Sequence, residues 1–142
     1  MARMRVLLAA ALLVGSATAC SDLTGNNVNA EGTYSIQTVN GIAVPYSYQD
    51  NSGNTILLQS DDYSLNNDGS YQEFRTWRTN GFAQSGLEDG TWTQSSGVVY
   101  FTPSTSDFSL QPYQATVRST SAFGGSRTLT ISINGTTAIY SD

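Results

Sequence analysis

The sequence predicts an all-β domain, an antiparallel up-and-down meander of roughly eight or nine strands closing into a small barrel. Three observations carry this reading. From Glu31 onward no stretch repeats apolar residues at helical spacing, and Thr, Ser, Tyr, Val and Ile prevail while helix-forming Lys and Met are missing. Polar and apolar residues alternate with the period of a half-buried strand. Asn-Gly and similar dipeptides, which supply the positive φ of tight hairpins, recur between the alternating segments.

Taken in order, the strands are expected near 32–39, 42–48, 55–65, 70–79, 85–94, 98–102, 112–119, 127–133 and 136–140. The first sets Tyr34 and Ile36 against Thr33, Ser35 and Gln37. Tyr113, Ala115 and Val117 oppose Gln114, Thr116 and Arg118, and Leu129, Ile131 and Ile133 oppose Thr128, Thr130 and Ser132. Asn40-Gly41, Asp50 to Asn54, Asn66 to Gly69, Asn80-Gly81, Ser95 to Gly97, Gly124-Gly125 and Asn134-Gly135 punctuate them. A meander of this kind closes on itself because closure removes its two unpaired edges.

The N-terminus has a different character. Arg3 and Arg5 precede the apolar run Val6 to Val14, and Gly15 to Ala19 are small, the order of a secretory leader over residues 1–19. The run is too short to cross a bilayer as a helix, which needs about 20 residues. Cys20 is the single cysteine of the chain and stands at the expected cleavage junction. The polar segment that follows reads as a flexible tether to residue 30, with the domain over 31–142.

Ala17-Thr18-Ala19-Cys20 resembles the lipobox of bacterial lipoproteins, with Ala17 where Leu is commoner. The resemblance implies several acyl chains, palmitate among them, at Cys20, hence a membrane partner through the anchor. It also implies a place in the cell envelope, in the outer membrane of a two-membrane cell because Ser21 rather than Asp follows the cysteine.

Composition removes several function classes. The chain has no histidine, and one cysteine cannot form an internal disulfide or a thiolate metal cluster, so no metal or cofactor is expected. After loss of Arg3 and Arg5, four Arg face eleven carboxylates, a net charge of about −7, and nothing forms the basic stripe that nucleic acid requires.

The order of Gly32-Thr33-Tyr34, Val39-Asn40-Gly41 with Pro45, Asp68-Gly69-Ser70-Tyr71, Gly90-Thr91-Trp92, Phe101-Thr102-Pro103 and Leu129-Thr130-Ile131 resembles lipocalin-like domains of bacterial lipoproteins. It departs from true lipocalins, whose G-x-W lies on the first strand. The resemblance implies a barrel with an interior that can hold a ligand, but maps no shared site.

Tyr71, Glu73, Arg75, Trp77 and Trp92 are the candidate ligand-lining residues. By period two the first four share a face, with Phe74 on the other, which would place a Glu73/Arg75 pair in the lumen between two aromatics, suited to a polar ligand with an apolar body. The rarity of buried charge favours a β-bulge that turns Tyr71 and Phe74 inward and the charges to water. The fifteen aromatics either fill the barrel or line a pocket, with self-filling favoured. Asp61-Asp62 and Glu88-Asp89 read as solvated turn charges, and the Asp50 and Asp68 loops as hairpin turns rather than calcium sites. Without histidine, a free thiol or a facing carboxylate pair, catalysis ranks last. The expectation is a monomeric, membrane-tethered, non-enzymatic barrel that binds a small apolar or amphipathic ligand. The alternative is an envelope protein-interaction or structural module with a solid core.

Overall fold

The computed structural model describes residues 28–120 and 125–142. The expected signal peptide, the lipid attachment at Cys20 and the tether as far as residue 27 lie outside the described residues. Ten strands follow one another: β1 (Gly32–Val39), β2 (Ile42–Ala43), β3 (Tyr46–Gln49), β4 (Thr55–Leu65), β5 (Ser70–Thr79), β6 (Phe82–Ser95), β7 (Val98–Ser106), β8 (Tyr113–Ser119), β9 (Arg127–Ile133) and β10 (Thr136–Ser141). Among the described residues there is no helix.

From β4 to β10 each strand pairs antiparallel with the next, and β1 pairs with both β10 and β4, so the meander closes into a barrel of eight strands. The predicted Asn-Gly turns at Asn40-Gly41, Asn80-Gly81 and Asn134-Gly135, with Ser96-Gly97, have positive φ at both residues, the conformation that matches strand twist in a two-residue hairpin.

The expected strand 42–48 is broken. Val44 and Pro45, joined by a cis peptide bond, lie outside the strands: Val44 N–H still bonds the Gln37 carbonyl (3.1 Å), but proline has no N–H with which to continue the pairing. On either side β2 pairs with the upper part of β1, while β3 pairs with the upper part of β4. Gly32–Ser35 pair directly with Asp62–Leu65, so β1 and β4 are zipped at one end and parted by the β2–β3 excursion at the other.

The expected bulge in β5 is absent. β5 pairs without interruption along β6, from Ser70 opposite Thr91 to Thr79 opposite Phe82. The irregularity lies across the ladder in β4, where Leu58 faces Trp77 and Ser60 faces Thr76, leaving Gln59 as the extra residue. That bulge rephases β4, so that Ile56 above it and Asp61, Tyr63 and Leu65 below it are all buried. Glu73 is therefore inside, at 2% exposure, and Phe74 is outside, at 45%. Inward charge is tolerable because the rephased β4 brings Asp61 to Arg75.

The two ends of the barrel differ. At one, Tyr34, Leu65, Tyr71, Val99, Phe101, Val117 and Leu129 fill the lumen. Val28–Ala30, given to the tether by the sequence reading, cross this end: Ala30 is fully buried, its N–H donates to Gln94 Oε1 (2.9 Å), and its carbonyl accepts from the Tyr34 hydroxyl (2.9 Å). Arg127 ties the chain ends together, donating to the Asn29 carbonyl (2.9 Å) and pairing with Asp142 (2.6 Å). At the other end, the loops after β1, β5, β7 and β9 surround an open mouth.

Candidate functional site

The mouth opens onto a cavity of about 580 Å³ between Ile131, Ile133 and Ala138 on one wall and the 108–112 loop on the other, with Glu73, Arg75 and Glu88 beneath. Two smaller cavities adjoin it, of about 400 Å³ toward β3 and about 290 Å³ toward Trp77, and Arg75 lines all three. These sizes suit small-molecule sites.

Alternation explains how the floor is assembled. Tyr71, Glu73, Arg75 and Trp77 point inward from β5, and Gly86, Glu88, Gly90 and Trp92 occupy the inward positions of the neighbouring β6. Gly86 lies opposite Arg75, and its missing side chain makes room for Phe108: a Cβ there would come within 2.5 Å of that ring. Phe108 thus folds in from the β7–β8 loop, with its ring centroid 4.3 Å from the Arg75 guanidinium and 6.0 Å from Trp77.

The floor is a continuous polar network. Arg75 Nε donates to Asp61 Oδ2 (3.0 Å), and another guanidinium nitrogen bonds Glu73 Oε1. The Tyr140 hydroxyl donates to Asp61 Oδ2 (2.9 Å) and that of Tyr63 to Glu73 Oε2 (2.8 Å). Glu88 accepts from Tyr71 (2.6 Å), Tyr113 (2.7 Å) and Ser106 (2.7 Å). The Tyr63 and Tyr113 hydroxyl oxygens lie 3.0 Å apart, so that either proton can turn from its carboxyl group to the other hydroxyl, which joins the Glu73 and Glu88 halves. Asp61 Oδ1, also buried, has no hydrogen-bond partner.

Three carboxylates with one guanidinium are costly inside a barrel, since each buried ion loses several kcal/mol of hydration. Protonation relieves part of that cost. Burial first, and the facing Asp61 second, push the Glu73 carboxyl up to about 8, so it is largely protonated at neutral pH and can donate to Asp61. Burial also raises Asp61, with Arg75 opposing. Burial, followed by the neighbouring carboxylates, holds Tyr63 and Tyr140 well above the usual phenol range, so they stay donors.

Of the residues predicted to line a ligand, Glu73 and Arg75 line the main cavity, and Trp77 lines the smaller one beside it, which Arg75 shares. Tyr71 lies beneath them, packed on Phe101 and hydrogen-bonded to Glu88. Trp92 belongs to the other end, where its indole N–H donates to the Asn66 carbonyl (3.0 Å). The reading of Asp61-Asp62 and Glu88-Asp89 as solvated turn charges fails for one member of each pair, because both pairs lie within strands. Asp61 is 1% exposed and Glu88 2%. Period two carried the missed signal: Asp61 alternates with Tyr63 and Leu65, and Glu88 with Gly90 and Trp92. The Asp50 and Asp68 side chains accept backbone N–H bonds from Asn54 (2.8 Å) and Ser70 (2.8 Å), as turn residues do.

Among the described residues no group of three or more acidic or other ligating side chains is placed to hold a metal ion. The arrangement offers an apolar wall, an aromatic rim and an anionic floor, and it can hold a molecule by its polar end. No protein-family model, curated protein or solved structure matches the chain.

Proposed function

We propose that the chain is a lipid-anchored, lipocalin-like lipoprotein of the cell envelope whose barrel holds a small apolar or amphipathic molecule in its mouth. The observation that carries this reading is the contrast inside one lumen: filled by its own rings at one end, and open over a polar floor with apolar walls at the other. A barrel meant only to be solid would be filled throughout. Ile42, Phe82, Leu110 and Ile133, exposed around the mouth, add an apolar entrance. Val28, where the described chain enters the barrel, lies at the closed end, opposite the mouth. We read no enzyme here, because the floor's carboxylates are engaged by tyrosines and Arg75 and no activated nucleophile stands among them. The same exposed rim favours a second reading, in which the mouth docks an envelope protein.

The test is a titration of the unacylated Cys20→Ser chain with an apolar fluorescent probe. Saturable binding weakened by Trp77→Ala, and unchanged by the turn substitution Asn67→Ala, supports the binder. No binding, with Trp77→Ala costing only stability, moves the reading to the interaction module. The anchor has its own check: Cys20→Ser should release the processed chain from the membrane fraction, and retention there would overturn the lipoprotein reading.

A further inference from the structure

Resting on the reading of the mouth as a binding site, we propose that its ligand presents a cationic, hydrogen-bond-donating head, a primary amine on an apolar or aromatic body, to the Asp61–Glu73–Glu88 floor. Charge is the first argument. The inward groups are Asp61 from β4, Glu73 and Arg75 from β5 and Glu88 from β6, beside the hydroxyls of Tyr63, Tyr71, Tyr113, Tyr140 and Ser106. One guanidinium thus faces three carboxyl groups, and in a cavity of low polarity this imbalance attracts a cation and repels an anion.

The position of Arg75 strengthens the case. Asp61 and Glu73 hold two of its nitrogens, and Phe108 covers its face. Two of its nitrogens and one face are thus already committed, which leaves an incoming carboxylate only the remaining exposed part of the guanidinium, beside two carboxyl groups that repel it. Hydrogen bonding points the same way, because the floor is rich in acceptors: Asp61 Oδ1 is buried and receives no N–H or hydroxyl of the chain, so that the Glu73 proton is its one nearby donor, and an ammonium group brings donors and accepts nothing. Trp77, Phe108, Tyr46 and Tyr48 stand around the cavities over this floor, and aromatic faces attract cations. Arg75 under Phe108 is an instance already present in the fold.

A ligand ammonium would compete with the proton of Glu73. Ionising that carboxyl strengthens the anionic floor, so an amine that remains charged should bind more tightly as the solution is made mildly alkaline.

The experiment compares octylamine, octanol and octanoate, which share one apolar chain and differ in the head, by calorimetry on the intact chain carrying Cys20→Ser, so that no detergent occupies the mouth. At about pH 8.5 the amine should bind about tenfold or more tighter than octanoate. Asp61→Asn should cut that preference at least threefold, and Glu73→Gln, the isosteric mimic of the protonated acid, should do the same if Asp61→Asn does not fold. A smaller preference, or a preference for octanoate, overturns the amine site and leaves the binding cavity standing. A preference untouched in the folded variants traces to the negative charge of the whole chain and also overturns it. Failure of all three molecules to bind overturns the binding reading itself.

Discussion

The two ends of this barrel are built from the same strands by the same alternation, yet one is a core and the other a vessel. At the closed end the inward residues are rings and branched aliphatics that touch across the lumen, with Phe101 4.8 Å from both Tyr71 and Tyr113. Toward the mouth the inward positions of β5 and β6 become Arg75 and Gly86, and the strands part around β2 and β3. The difference teaches that a barrel's interior is decided layer by layer. The polar network is the seam, since its tyrosines present rings to the core below and hydroxyls to the carboxylates above.

The largest expected effect separates the two ends by stability. Phe101→Ala removes a fully buried ring from the packed end and should cost about 3 to 5 kcal/mol in urea denaturation. Ile133→Ala at the mouth, where the side chain is exposed, should stay within about 0.5 kcal/mol. Comparable losses at both sites would erase the distinction between core and vessel.

The seam comes next. Arg75→Met leaves the Asp61 and Glu73 carboxyl groups without their cation, and breaking such a pair costs about 3 to 5 kcal/mol when it is fully buried. The Arg75 side chain keeps 32% of its surface in solvent, so the lower figure is expected. A neutral outcome would show that Arg75 contributes nothing to folding.

The extent to which the sequence foretold this molecule follows the same division. Strand positions and hairpins were legible because Asn-Gly turns and period-two alternation are local properties, read from neighbouring residues alone. The phase of β5 was not, because it is settled by Gln59 on the partner strand, and a bulge leaves no local mark in the strand it serves. Glu73, Arg75 and Trp77 were recognised as one face, yet the rule that charge avoids interiors argued against the correct orientation. What defeats the rule is a group remote in sequence, Asp61, which ladder pairing places opposite Arg75. Phe108 was invisible for a similar reason: its place depends on the space above Gly86.

A shallower effect, spread over pH, tests the seam's protonation. The Glu73 carboxyl titrates near 8 in the folded chain, against an ordinary value of 4.5. Between those values the folded state keeps a proton that the unfolded state has released, so stability falls as pH rises. The contribution is full below about 4.5 and lost by about 8, and Asp61, also raised, acts in the same direction. Denaturation midpoints measured across this window should decline for the native chain. Glu73→Gln, whose amide can donate to Asp61 at every pH, should flatten most of that decline, and a native midpoint that climbs instead would contradict the buried proton.

The smallest effect is optical. The two tryptophans of the chain report on opposite ends: Trp77 at the cavity beside Phe108, and Trp92 against the Asn66–Gly69 turn, where its indole N–H is bonded to the Asn66 carbonyl. A molecule entering the mouth displaces water near Trp77 and leaves the closed end untouched. In Trp92→Phe, where Trp77 is the sole indole, an apolar probe should shift the emission saturably. In Trp77→Phe, with only Trp92 left, the same titration should produce no saturable change. A response from Trp92 alone would place the ligand at the closed end, among residues that here fill the lumen. A response from both would mean that the seam transmits occupancy from one end to the other, and the tyrosine hydroxyls that span it, Tyr63 to Tyr113, would be the first contacts to remove.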